Sequence, residues 1–355
     1  MFRQEKKYYA RAFLYALAMA AVLLAPFVLL DGGYFVYYGD YNAQQIPFYK
    51  TCIEAVQSGN LGWNWRTDLG ANFVGSYSFY TLGSPFFWFA ALFPVEISQY
   101  LMAPLLALKI ACSSFFAFVY IRRFVTNPQH ALIGGLLYAF SGYSMYNIFF
   151  NHFHEAIVFF PLLLIGLEES VVNKRRGALA AAVAINAFVN YFFFIGECVF
   201  LVLYFVIRLI GDSRFRIGVR DFFCLAFEAV CGVLIAGVLF VPSIFQVLDV
   251  PRSTSMLNGW DFLFYNKNQR YGLILEAMFF PGEVPARTIM FEKADSKWSS
   301  VALFLPLFSM SGVIAMVKGA ATEASRRMKW LRILLPACLI IAMIPGLNSS
   351  FVLFN

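Results

Sequence analysis

The sequence predicts an all-α polytopic membrane protein: a bundle of about nine transmembrane helices with a large first extracytoplasmic loop that contains interfacial helices. Three observations carry this prediction. The chain of 355 residues is 61% hydrophobic and 13% charged, with a mean hydropathy of +0.68, whereas soluble domains are about a quarter charged. Its apolar residues come in blocks of roughly 18–22, long enough to cross about 30 Å of hydrocarbon. Most of its 27 Lys and Arg stand in short runs between those blocks, the pattern of cytoplasmic loops.

That distribution also excludes the nucleic-acid partner that a net charge of +7 would otherwise suggest. The six cysteines, Cys52, Cys112, Cys198, Cys224, Cys231 and Cys338, show no CxxC and no Cys/His cluster of zinc spacing. Neither a disulfide framework nor a metal site is indicated. Use of a divalent metal stays open at this level.

The elements follow in chain order. Arg3, Lys6, Lys7 and Arg11 precede an apolar run over 12–30. The run is long for a signal peptide and no small-residue cleavage site precedes Asp31, so it reads as an uncleaved first helix with a cytoplasmic N-terminus. Residues 31–98 form the first extracytoplasmic loop. Within it Ile46, Tyr49, Ile53 and Val56 recur at helical spacing, Pro47 suits a first helical turn and Ser58-Gly59 suits a stop. This amphipathic helix is expected to lie along the membrane interface. Trp63, Trp65, Tyr77, Tyr80 and Trp88 follow among glycines, and the apolar stretch 85–93 is too short to span.

Further spans are expected at 101–120, 130–150, 156–172, 178–195, 198–210, 222–247, 300–317 and 331–344. The segments 178–195 and 198–210 make a tight hairpin around Gly196-Glu197. Arg122-Arg123, Lys174-Arg175-Arg176, the group Arg208, Arg214, Arg216 and Arg220, and the loop holding Lys318, Arg326, Arg327 and Lys329 mark the cytoplasmic ends. Residues 249–299 form a second large extracytoplasmic loop. The chain stops soon after its last span, and a further C-terminal part is expected to be absent.

Candidate chemistry collects at the outer edge. Asp40 stands just before the amphipathic helix, whose positive end favours an ionised carboxylate; it is the candidate catalytic residue, a base that takes a proton from an acceptor hydroxyl. The alternative is a solvated or capping acid. His152, His154 and Glu155 sit at an outer edge and are candidates for substrate binding; interfacial hydrogen bonding is the plainer reading. Arg252 and Arg270 suit an anionic lipid phosphate, which arginine grips with two parallel bonds. Trp63 and Trp65 suit stacking on a sugar face, or an ordinary aromatic belt. Lys109 and Glu197 are costly in apolar segments unless they pair or face a cavity.

Several stretches together resemble the bacterial YfhO-like membrane proteins of the GT-C glycosyltransferase class. They are Gly39-Asp40-Tyr41-Asn42-Ala43-Gln44-Gln45-Ile46-Pro47-Phe48, Trp63-Asn64-Trp65 followed by Leu69-Gly70, Gly75-Ser76-Tyr77-Ser78-Phe79-Tyr80 leading to Ser84-Pro85-Phe86, and Leu347-Asn348-Ser349-Ser350-Phe351. The resemblance implies a GT-C-like bundle, a sugar donor carried on polyprenyl phosphate, and an acceptor polymer of the cell envelope such as lipoteichoic acid. It implies partners too: a synthase that loads the lipid and a flippase that turns it over. Asp40 matches the acid that follows the first span in the class. Members of the family continue past Asn348-Ser349-Ser350-Phe351, so acceptor contacts are expected beyond this chain. The rival readings are a flippase or transporter of lipid-linked sugars, which places its polar groups near the bilayer midplane, and a noncatalytic membrane assembly protein.

Overall fold

The computed structural model describes residues 2–37, 39–67, 69–249, 259–265, 269–279, 304, 309–318 and 328–346. Its helices are α1 (Phe2–Leu30), α2 (Ile46–Ser58), α3 (Phe73–Tyr77), α4 (Pro85–Ala90), α5 (Met102–Ile121), α6 (Pro128–Ala139), α7 (Gly142–Tyr146), α8 (Phe153–Val172), α9 (Ala178–Val189), α10 (Tyr191–Gly211) and α11 (Val219–Asp249). There follow α12 (Trp260–Leu263), α13 (Gln269–Phe279), α14 (Ser309–Val317) and α15 (Leu331–Met343). The two-residue strands β1 (Trp63–Asn64) and β2 (Ala71–Asn72) pair antiparallel in the first loop.

Among the described residues four helical segments are long and apolar enough to cross a membrane: Lys6–Leu30, Val95–Ile121, Tyr191–Gly211 and Val219–Phe245. The helices α9 and α15 are apolar but shorter, and α8 carries Glu155, Glu168 and Glu169. The expected all-α membrane architecture is therefore present, while full-length spans are seen at only some of the expected positions. Along α11 the side chains of Phe223, Phe227, Val230, Leu234, Val238 and Phe245 point out of the protein. An apolar stripe of that length marks a surface covered by lipid or by another protein.

Helix α5 is the hub, packed on α1, α6 and α8, and α8, α9 and α11 continue the layer. Small residues let these helices approach closely. Ala12, Ala16 and Ala20 form the buried face of α1. A Cβ on Gly166 would meet Ala182 at 2.6 Å, and one on Gly232 would meet the Ala180 carbonyl at 2.6 Å.

Two expected segments break differently from the sequence pattern. The span over 130–150 is divided: α6 ends near Phe140, and Ser141 caps the short α7, accepting from the Ser144 amide. At that break the Gly142 amide donates to the Phe304 carbonyl at 2.6 Å. No break occurs at Gly196-Glu197, where a hairpin is expected; the helix is interrupted at Asn190 instead, and both residues lie inside α10. Asn190 leaves the helical conformation (φ −155°) and its Oδ1 caps α10, accepting from the Phe193 amide. An Asn side chain supplies the acceptor that a helix start needs, and a glycine deep in an apolar helix is no break by itself.

Candidate functional site

The first loop folds down onto the bundle. A π-helical turn over Tyr41–Gln45 runs without a linker into α2, which begins with Pro47 in its first turn and ends at Gly59 in the left-handed conformation. The start and stop read from the sequence are thus present. The apolar face of α2, with Tyr49, Cys52, Ile53 and Ala55 buried, packs into the core shared with α1, α4 and α5. Periodicity identifies the face; the surface covering it is the protein's own bundle.

Asp40 is the first residue of this helical run. It is half-buried, its carboxylate does not cap the turn, and it has no hydrogen bond or ion pair among the described residues. Gly39 beside it has φ +54°, and a Cβ there would strike the Phe149 ring at 2.4 Å. The acid is therefore held against the turn that leads into α8. One turn further on, the Gln45 Oε1 meets His152 Nδ1 at 3.2 Å.

The Asn151–Glu155 stretch is buried beneath this run. His152 is packed edge-on against Phe79, Tyr80 and Phe153. Burial, and then the nearby Lys109 charge, lower its pKa to about 3, so the ring is neutral. His154 lies against the backbone of Asn147. The two rings, two residues apart at a helix start, take different partners. Glu155 is not open to a substrate from the loop surface: it is paired with Lys109 at 2.6 Å, with side-chain exposures of 2% and 0%. Ser84, which also caps α4, donates to Glu155 Oε1 at 2.6 Å. Lys109 donates to the backbone and side-chain oxygens of Asn151, each at 3.2 Å. The Tyr49 hydroxyl lies against the same group, and burial pushes its pKa up.

Other candidates lie apart. Trp63 and Trp65 are 54% and 75% exposed on the β1–β2 hairpin, with ring centroids 5.7 Å apart. Gly70 permits this, since a Cβ there would lie 2.9 Å from both rings. Arg252 lies outside the described residues; Arg270 lies in α13, its side chain outside them too. Glu197 lies on α10 with one carboxylate oxygen buried and unpartnered among the described residues.

Sequence reasoning missed a second charged cluster, at the basic ends of the helices. Arg208, expected among the loop residues of a cytoplasmic end, is buried in the last turn of α10. It donates to both carboxylate oxygens of Glu168, at 2.8 and 3.0 Å, and to Asp212. Its guanidinium also lies over the rings of Phe124, Phe215 and Trp330. Gln45, Tyr49, Ser84 and Asn151 were missed as well. The signals were thin: Asn151 adjoins the His pair, and Ser84 precedes Pro85 as a cap would.

The arrangement offers a carboxylate without a partner among the described residues, at the positive end of a helical run, seated on a buried polar layer in which Gln45 Nε2, His152 Nε2, His154 Nε2 and Glu155 Oε2 are also unpartnered among the described residues. No curated protein sequence and no solved structure matches the chain. The family model described as bacterial membrane protein YfhO matches residues 11–275, which takes in the first loop, the polar layer and the Arg208–Glu168 pair. The chain belongs to the YfhO family of bacterial membrane proteins.

Proposed function

We propose that the chain is a GT-C-type glycosyltransferase of the bacterial cytoplasmic membrane. It moves a sugar from a polyprenyl-phosphate-linked donor to a teichoic or lipoteichoic acid-like envelope polymer on the outer face. The observation that carries this reading is the Asp40 carboxylate, which is without a partner among the described residues and stands at the start of a helical run fixed to the bundle. In the proposed step Asp40 takes the proton of an acceptor hydroxyl, and that oxygen attacks the anomeric carbon. The bond to the lipid phosphate breaks, and the phosphate leaves with the electron pair. Attack opposite the leaving group inverts the sugar carbon. Trp63 and Trp65, exposed on the same loop, would stack on the sugar. A donor-lipid synthase and a flippase would act upstream.

The test is Asp40→Asn in cells that make the polymer, followed by mass spectrometry of the polymer. Loss of the sugar at normal protein level supports the reading; unchanged glycosylation overturns it. The buried charges of Lys109, Glu155, Glu168 and Arg208 favour one second reading, a flippase for the lipid-linked sugar, because intramembrane ionisable groups commonly line transport paths. A flippase would lose donor turnover across sealed membranes and keep transfer in opened ones.

A further inference from the structure

We propose that the Lys109–Glu155 pair is the device that positions the Asp40-bearing run, which makes both of them positioning residues of the site. The proposal rests on the glycosyltransferase reading for what is positioned; the positioning itself does not depend on it.

Burying two charges is expensive, and their attraction repays that cost only when the remaining donors and acceptors are satisfied. Here the groups that meet the pair come from three further segments, while Glu155 Oε2 has no hydrogen-bond partner among the described residues. Lys109 is on α5 and Glu155 on α8, 2.6 Å apart. Ser84 comes from the start of α4 and donates to Glu155. Asn151, in the turn before α8, accepts twice from the ammonium. Tyr49 comes from α2 and is buried near enough for the Lys109 and Glu155 charges to act on its hydroxyl. The Phe86 ring lies 5.6 Å from the ammonium. An apolar patch would hold the same segments together, but it would accept several registers. A lysine whose donors are divided among set acceptors accepts far fewer.

The link to Asp40 is short and helical. Tyr49 is on α2, which continues without a break through the turn at Tyr41–Gln45 to Asp40. Gln45, between them, contacts His152, which neighbours Asn151. Release of Asn151 from Lys109 therefore loosens the turn on which Gln45 and the run rest.

Cys52 is a native reporter. It lies on α2 fully buried, accepts from the Thr81 hydroxyl at 3.2 Å, and burial pushes its thiol up to about 12. In the full chain, with Cys112, Cys198, Cys224, Cys231 and Cys338 changed to Ala, Cys52 should resist maleimide in native membranes. Lys109→Met and the milder Glu155→Gln should each label on the order of a hundredfold faster, since each leaves a buried charge without its partner. The exchanged pair Lys109→Glu with Glu155→Lys should restore protection, which a general packing defect would not allow. Sugar transfer, measured in the same membranes, should fall and recover in parallel. Protected Cys52 in Glu155→Gln, or no recovery of protection in the exchanged pair, overturns the proposal. If labelling behaves as stated while Asp40→Asn leaves glycosylation intact, the positioning stands and the glycosyltransferase reading fails.

Discussion

Gly83 faces the end of α9 with no room for a side chain: a Cβ on it would lie 2.1 Å from the Phe188 carbonyl oxygen and 2.7 Å from that of Val189. Backbone oxygens at a helix end cannot swing aside as a side chain can. Gly83→Ala must therefore push the segment holding Ser78 and Ser84 away from the bundle. The Ser243 hydroxyl, which donates to Ser78 at 2.6 Å, would be strained by the same movement. We expect a loss of about 1–3 kcal/mol, the usual range for overpacking, read as a lower unfolding midpoint in detergent. Gly62, where an added Cβ would meet nothing within 4 Å, supplies the control: Gly62→Ala should leave the midpoint nearly unchanged.

Arg208 predicts a different kind of loss. It ties α10 to Glu168 of α8 and lies over Trp330, just before α15. Arg208→Ala leaves Glu168 buried with only Tyr204 donating to it among the described residues, and removing one member of a buried pair costs about 3–5 kcal/mol. Arg208→Lys keeps the charge but neither the two parallel bonds nor the stacking, and should recover only part of the loss. Proteolysis or thermal unfolding in detergent would rank the three proteins. Equal stability of the Lys and Ala forms would show that the planar fork matters and the charge alone does not.

His152 predicts a pH dependence with a definite sign. Its pKa in the folded chain is lowered from 6.5 to about 3, chiefly by burial and then by the Lys109 charge. Below pH 6.5 the unfolded chain takes up a proton that the folded ring refuses, so this contribution to stability is complete above that pH and is lost as pH falls toward 3. Between pH 6.5 and 5 the loss is about 2 kcal/mol at most. His152→Gln should flatten that portion of the profile. A stability curve of the same slope in both proteins would assign the acid sensitivity to other groups.

These cases show what was legible in the sequence. Hydropathy located the helices because lipid demands long apolar runs whatever the fold, and the Pro47 and Gly59 signals bounded α2 because capping is local chemistry. Partnership was not legible. Nothing near Lys109 in sequence points to Glu155, since the pairing arises from the packing of α5 on α8. Likewise the spacing of Ile46, Tyr49, Ile53 and Val56 identifies an apolar face without saying whether lipid or protein covers it. Glu197 reads as a turn because an acid is expected outside the apolar run, yet it lies within α10. Asp40 stands out for a local reason, its place before a helix start. Its lack of a partner among the described residues could come only from three dimensions.

Asp40 separates chemistry from positioning. Asp40→Asn keeps the size of the side chain and removes the ability to take a proton, so transfer should fall by about 10²–10⁴. Because the carboxylate bonds to none of the described residues, the substitution should not disturb α2, and Cys52 should stay protected. Asp40→Glu retains a base but moves it by one methylene, and reactions that depend on near-attack geometry lose about 10²-fold for displacements of that order. The expected order of transfer rates is therefore Asp, then Glu, then Asn, at equal protein level and equal Cys52 protection. Exposure of Cys52 in Asp40→Asn would instead make the acid a structural group. Full transfer by Asp40→Asn would remove it from the chemistry altogether.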